Sequence, residues 1–156
     1  MASDGKTRQV VVVGVDGSAE SVAALSWAGR YAAATGASVR AVYAWHFPAA
    51  AAVPAAAVPQ APSAEIEGRI RSTLAETIAK AFTEQPAPQV ETVISYGHPA
   101  EVLIGESKSA SLLVVGHRGH GAFTGMLVGS VSIHCVTHAA CPVVVVRGNG
   151  ADQRDR

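Results

Sequence analysis

Charge is scarce in this chain. Only 15% of its 156 residues are Asp, Glu, Lys or Arg, and the formal net charge is zero. A nucleic-acid backbone is held by clustered cations, so DNA and RNA are excluded as expected partners. Cysteine is scarcer still, with only Cys135 and Cys141. Two thiols so close together are no secreted disulfide framework, and the expectation is a reduced, cytoplasmic protein. Met1 to Gln9 carries Asp4, Lys6 and Arg8 and lacks an apolar h-region, so no signal peptide is expected there. No long uninterrupted apolar run is present either. The weakly polar stretch Ala41 to Pro59 is broken by Pro48, Pro54 and Pro59, which argues against a membrane span.

What is present alternates between two periodicities. Val10 to Val15 is a β-branched run closed by Asp16-Gly17. Ser18 then reads as an N-cap with Glu20 in the first turn, and Val22, Leu25, Ala28 and Ala32 as one helical face ending at Gly36. Val39 to Trp45 is a second strand. Ser63 opens a helix in which Ile66, Ile70, Leu74, Ile78 and Phe82 recur every fourth residue. Val90 to Ser95 is a third strand. Gly97-His98-Pro99 turns into a short helix through Ile104. Leu112 to Val115 is continuously apolar, as in a parallel strand covered on both faces. Ser130 to His138 reads as a last helix and Pro142 to Val146 as a last strand. The order βαβαβαβαβ implies a single doubly wound α/β domain. Residues 48–62, almost all Ala, Val and Pro, are expected to form a mobile surface loop, with loose tails at 1–7 and 149–156.

In such sheets a ligand sits outside the carboxyl ends of the strands, where the strand order reverses. With the first strand central, two segments meet there: 14–18 and the long glycine-rich connection Gly116 to Gly129. Glycines let backbone N–H groups approach an anion, and Ser130 and Ser132 stand at the start of the following helix, whose dipole favours negative charge. The same glycines also serve tight turns without any ligand. No Gly-Lys-Ser/Thr is present, so this is not a Walker A loop. Gly119-His-Gly121 lacks the third glycine of a dinucleotide fingerprint.

Gly116-His-Arg-Gly119, nine residues, then Gly129-Ser130 has the spacing G-x2-G-x9-G-[S/T], which resembles the ATP-binding motif of universal stress proteins. The opening Val10 to Ser18, the Gly129-Ser-Val-Ser132 turn and Cys141-Pro-Val-Val-Val-Val146 are similar to the same family, over about residues 8–148. The resemblance implies a five-stranded parallel sheet in the order 3-2-1-4-5, flavodoxin- or Rossmann-like, binding ATP with Mg²⁺ held by the phosphates and no metal ligand from the protein. By position, Gly14, Val15 and Asp16 would wall the adenosine, the backbone at Ala44 would read adenine, and Val115 and Gly116 would lie under the nucleoside. Gly119, Gly129, Ser130, Val131 and Ser132 would hold ribose and phosphates, with His117 and Arg118 beside them. It also implies a homodimer through Val143 to Val146, an apolar edge that invites pairing. The expected function is an ATP-dependent sensor or switch in the stress response. The alternative is a slow ATPase or nucleotidyl transferase, but no Lys, Asp or Glu lies between Gly116 and Ser132 to serve the γ-phosphate. A zinc site of Cys135, His138 and Cys141, with His134 adjacent, needs all ligands on one face, and is not expected where a helix runs straight into a strand.

Overall fold

The computed structural model describes residues 8–47, 54–57, 61–119 and 128–148. The elements in order are β1 (Val10–Gly14), α1 (Ala19–Thr35), β2 (Ser38–Trp45), α2 (Ala64–Ala81), β3 (Val90–Tyr96), α3 (Pro99–Ser107), β4 (Leu112–Gly116), α4 (Ser130–His138) and β5 (Val143–Val146). All strand pairs are parallel, and the sheet order is β3-β2-β1-β4-β5. This is the five-stranded order that the family resemblance implies. In the Ala/Pro-rich stretch, Ala55–Ala57 forms a single 3₁₀ turn. Residues 48–53 and 58–60, and the tails 1–7 and 149–156, lie outside the described residues.

Continuous valine runs work here because each strand face meets helices. Val11 and Val13 pack with Leu25 of α1 and Leu74 of α2 on one side of the sheet. Val12 turns the other way, to Leu103 of α3, Leu113 and Cys135 of α4. Period-two alternation within β1 therefore splits one apolar run between two cores.

The caps of α1 are those its sequence announces. Ser18 Oγ accepts from Ser21 N at 3.2 Å, and Gly36 adopts φ 76°, its N–H donating to Ala32 O at 2.8 Å. A left-handed residue there favours glycine. The inward face differs from the expected one. Val22 is only partly covered, whereas Ser21, Ala24 and Gly29 are buried with Leu25, Ala28 and Ala32. Gly29 is inside because Phe82 fills the place of a side chain: a Cβ there would run into the Phe82 ring.

The stripe on α2 also shifts. Ile70 and Leu74 are 4% and 2% exposed, but Ile66 is 37% exposed. Four-residue steps gain about 40° each on a helix of 3.6 residues per turn, so a stripe spaced strictly by four winds off the core. Thr77 and Ala81 take the buried places at the far end. The solvent side carries the i,i+4 ion pairs Glu65–Arg69 (2.7 Å) and Glu67–Arg71 (2.5 Å), each worth a few tenths of a kcal/mol. No helix among the described residues is long and apolar enough to cross a membrane.

Leu74→Ala is expected to cost about 2–5 kcal/mol, while Ile66→Ala, four residues from the buried Ile70, costs less than about 1 kcal/mol. Urea denaturation followed by circular dichroism measures both; equal losses would contradict the rotation of the stripe off the core.

Candidate functional site

The neighbouring strands β1 and β4 send their following helices to opposite faces, α1 to one and α4 to the other. The edge between them opens into a cleft of about 350 Å³. Its floor is Gly14, Val15, Val115 and Gly116 at the strand ends. Val42, Tyr43 and Ala44 of β2 form one wall, with Pro99 and Leu103 of α3. Arg118, Gly119, Gly129, Ser130, Val131 and Ser132 form the other.

Backbone ties hold this second wall in place. His117 N donates to Val146 O at 2.8 Å, and Gly129 N to His117 O at 2.6 Å. Ser132 Oγ donates to Gly116 O at 2.6 Å, pinning the first turn of α4 to the end of β4. Gly129 is the N-cap of α4 and has no side chain to offer the first-turn N–H groups. That end of the helix thus combines unsatisfied donors with the positive end of the dipole. Among the described residues Arg118 is the one cation in the lining and Asp16 the one carboxylate.

Asp16 organises the opposite corner. Its Oδ1 accepts from Ser18 N at 2.9 Å and from Ser18 Oγ, closing the β1–α1 turn around Gly17 at φ 84°. Burial pushes the Tyr43 phenol above its usual range, and the charge of Asp16 adds to that, so Tyr43 faces the cleft as a neutral hydroxyl. At the mouth, the ring of His46 packs on that of His98, centroids 4.7 Å apart.

Twelve of the thirteen residues singled out from the sequence therefore line one cleft. His117 does not line it; it is 7% exposed. Arg118 Nε donates to its Nε2 at 3.3 Å, and its Nδ1 is buried without a partner among the described residues. His120 lies outside the described residues with the rest of 120–127. The structure adds Ser18, Ser21, Val42, Tyr43, His46, Pro99 and Leu103 to the lining. Ser18 belongs to the 14–18 segment expected at this edge, where the sequence also marks it as a cap. His46 and Pro99 reach the cleft through the pairing of β2 with β3, which no local pattern announces.

The glycines carry a structural load as well. A Cβ on Gly116 would stand 2.6 Å from Glu20 Cβ, and one on Gly119 would collide with Asp16 Oδ2. At Gly116 the obstacle includes the Glu20 backbone, so the two connections pass each other only with glycine there; at Gly119 the Asp16 carboxylate would have to shift. Cys135 is 0% exposed and burial pushes its thiol up to about 11, and no group of three or more His, Cys, Asp or Glu among the described residues is placed to hold a metal.

The model of the universal stress protein family matches residues 7–147, nearly the whole chain. The chain belongs to that family. A universal stress protein of Mycobacterium tuberculosis is 38% identical over 138 residues, which is 88% of this chain but 45% of the relative. One from Mycolicibacterium smegmatis is 36% identical over 143 residues, 90% of this chain and 46% of the relative. This chain thus spans about half the length of these mycobacterial relatives. Among solved structures, a universal stress protein in complex with cAMP superposes with a TM-score of 0.67 at 28% identity, covering 90% of this chain and 98% of that one.

Gly119→Ala is expected to lose about 1–3 kcal/mol from overpacking against Asp16. Gly105→Ala, in α3 where a Cβ meets nothing, should gain up to about 1 kcal/mol. Thermal denaturation compares the two, and an unchanged Gly119 variant would refute the contact. A thiol reagent at pH 8 should label Cys141 alone in the native protein and Cys135 only after denaturation. Because folding raises the Cys135 value, its stabilisation is complete below the ordinary thiol range. It is lost as pH climbs from about 9 towards about 11, a decline that Cys135→Ala should lessen, leaving the smaller shares of Cys141 and Tyr43, which burial also raises.

Proposed function

We propose that this universal stress protein binds an adenine nucleotide, ATP with Mg²⁺, and acts as a nucleotide-dependent switch rather than as an efficient enzyme. The observation that carries the reading is the composition of the 350 Å³ cleft: an apolar pocket at the switch point of the sheet, bordered by an uncapped helix N-terminus and Arg118. An apolar base and an anionic tail need those two environments side by side. The solved relative holding cAMP supports the nucleotide class.

In this reading Val15, Val42 and Val115 flank the base, with the backbone of Ala44 reading its edge and Gly14 and Gly116 permitting close approach. Asp16 and the neutral Tyr43 hydroxyl face the ribose. The N–H groups of Ser130, Val131 and Ser132, with Gly119, Gly129 and Arg118, receive the phosphates. The Ser132 hydroxyl is already donated to Gly116, so its part is to fix the helix start, with only its N–H left for the ligand. Mg²⁺ fits as an ion carried by the phosphates, because a single carboxylate offers no protein cage; there it would neutralise phosphate charge.

Binding is favoured over turnover by what surrounds Asp16. Its Oδ1 is engaged by Ser18 on two sides, which suits an orienting group better than a base that must take a proton. We further read the molecule as a cytoplasmic domain over 8–148 that pairs with a second copy through β5. Its four valines are half-buried at the sheet edge, beside β4 only.

The deciding variant is Ser130→Asp. A carboxylate at the first position of α4 favours the helix but repels phosphate, so fold and ligand effects separate. Calorimetric titration should show ATP–Mg²⁺ affinity falling at least about tenfold, an electrostatic cost of about 1.4 kcal/mol. Adenosine affinity and Tm should hold. Equal ATP affinity in both proteins, or none in the wild type, would overturn the reading.

A further inference from the structure

Two histidines of α4, His134 and His138, lie outside the cleft, one turn apart on an exposed face. Their rings are nearly parallel, inclined by 22°, with centroids 6.1 Å apart. Each turns the same nitrogen inward. His134 Nδ1 lies 2.9 Å from Ser130 O, and His138 Nδ1 lies 3.2 Å from His134 O. A carbonyl oxygen can only accept, so in both neutral rings Nδ1 carries the proton. Both Nε2 atoms are left as bare lone pairs directed outward.

This is the tautomer of histidines that ligate metals, whose second ring nitrogen donates to a backbone carbonyl. Histidines at i and i+4 on one helix face are spaced to share an ion. The position in the helix adds a second argument. His138 is the last residue of α4, where the helix dipole presents its negative end and favours a cation. No acidic residue occurs in 130–138, so hard, oxygen-seeking ions find no ligand there.

We infer that His134 and His138 form a two-point chelate for a borderline divalent cation of the Zn²⁺, Ni²⁺ or Cu²⁺ class, held through both Nε2 atoms. The nearly parallel rings must turn towards each other, by side-chain rotation on the exposed helix face, to bring both Nε2 to about 2.0–2.1 Å from one ion. Water completes the coordination, since no third His, Cys, Asp or Glu is grouped with the pair among the described residues. The neighbouring thiols take no part: Cys135 is fully buried, and Cys141 Sγ is turned to Pro142 O at 3.4 Å. Imidazole pairs select this class over Mg²⁺ and Ca²⁺. The site is separate from the nucleotide cleft and stands whether or not a nucleotide binds there.

Zn²⁺ alone, titrated calorimetrically into the untagged full chain, tests the inference. His134→Ala and His138→Ala should each weaken binding by more than about tenfold, since removal even of an outer-shell partner costs 10–100-fold. The double variant His46→Ala/His98→Ala, which removes the other packed histidine pair among the described residues, should bind Zn²⁺ as the wild type does. Excess Mg²⁺ should not compete. Nitrogen chemical shifts give a second readout independent of folding in the variants: the Nε2 resonances of both helix histidines should move together with Zn²⁺. Loss of binding in the His46/His98 variant alone, undiminished binding in both single α4 variants, or unmoved Nε2 resonances would each overturn the assignment.

Discussion

Everything at the functional edge follows from how β1 and β4 are covered. The two strands pair directly, Val11 with Leu112 through Val13 with Val114. Both are buried on both faces, so helices must pack above and below them. The chain leaves β1 towards one core and β4 towards the other. Two connections departing in opposite directions cannot close over the sheet edge they share, and the cleft is the space between them. Its location is a consequence of layer packing before any ligand chemistry is considered.

Close approach of those two connections then restricts which residues can stand there. Gly116 passes Glu20 at the start of α1, and Gly119 passes the Asp16 carboxylate. Glycine at 116 is thus required on steric grounds, and the segment's link to anion binding comes from a different feature, the uncapped start of α4. The hydrogen bond from Ser132 to Gly116 joins the two requirements, because it sets the helix start against the strand end at a fixed height. The consequence for experiments is that a glycine substitution confounds fold with binding, whereas a charge placed on the first turn of α4 does not.

Helix α4 has different chemistry at each end. Its N-terminus turns donors and a positive dipole towards the cleft, and its C-terminal half turns two imidazole lone pairs towards solvent. Between them Cys135 anchors the helix to the inner core and stays protonated because burial disfavours its thiolate. A nine-residue helix is marginal by itself, so its placement rests on that anchor and on the Ser132 tie.

Much of this was readable along the chain. Ser18, Gly36 and Pro99 mark helix ends because caps are local chemistry, decided within four residues. The valine runs announce buried strands, and the glycine spacing at 116, 119 and 129 with Ser130 announces the family and the connection that borders the cleft. What stayed hidden depends on rotation and on partners distant in sequence. Ile66 belongs to a perfect four-residue stripe yet faces outward, because the stripe precesses and only packing against α1 decides which part of it is covered. Gly29 is buried because Phe82 comes to it, and His46 reaches the cleft beside His98 because β2 pairs with β3. His117 sits within the motif but is drawn away from the lining by the tie of its backbone to Val146 and the contact of its ring with Arg118. The sequence by itself determined the elements, their caps, the family and the segments that meet at the edge, since those rest on local backbone chemistry and periodicity. The tertiary structure alone decided which side chains face the cleft, which thiol is sealed and which imidazole nitrogen is bare, because each depends on contacts made only once the layers have closed.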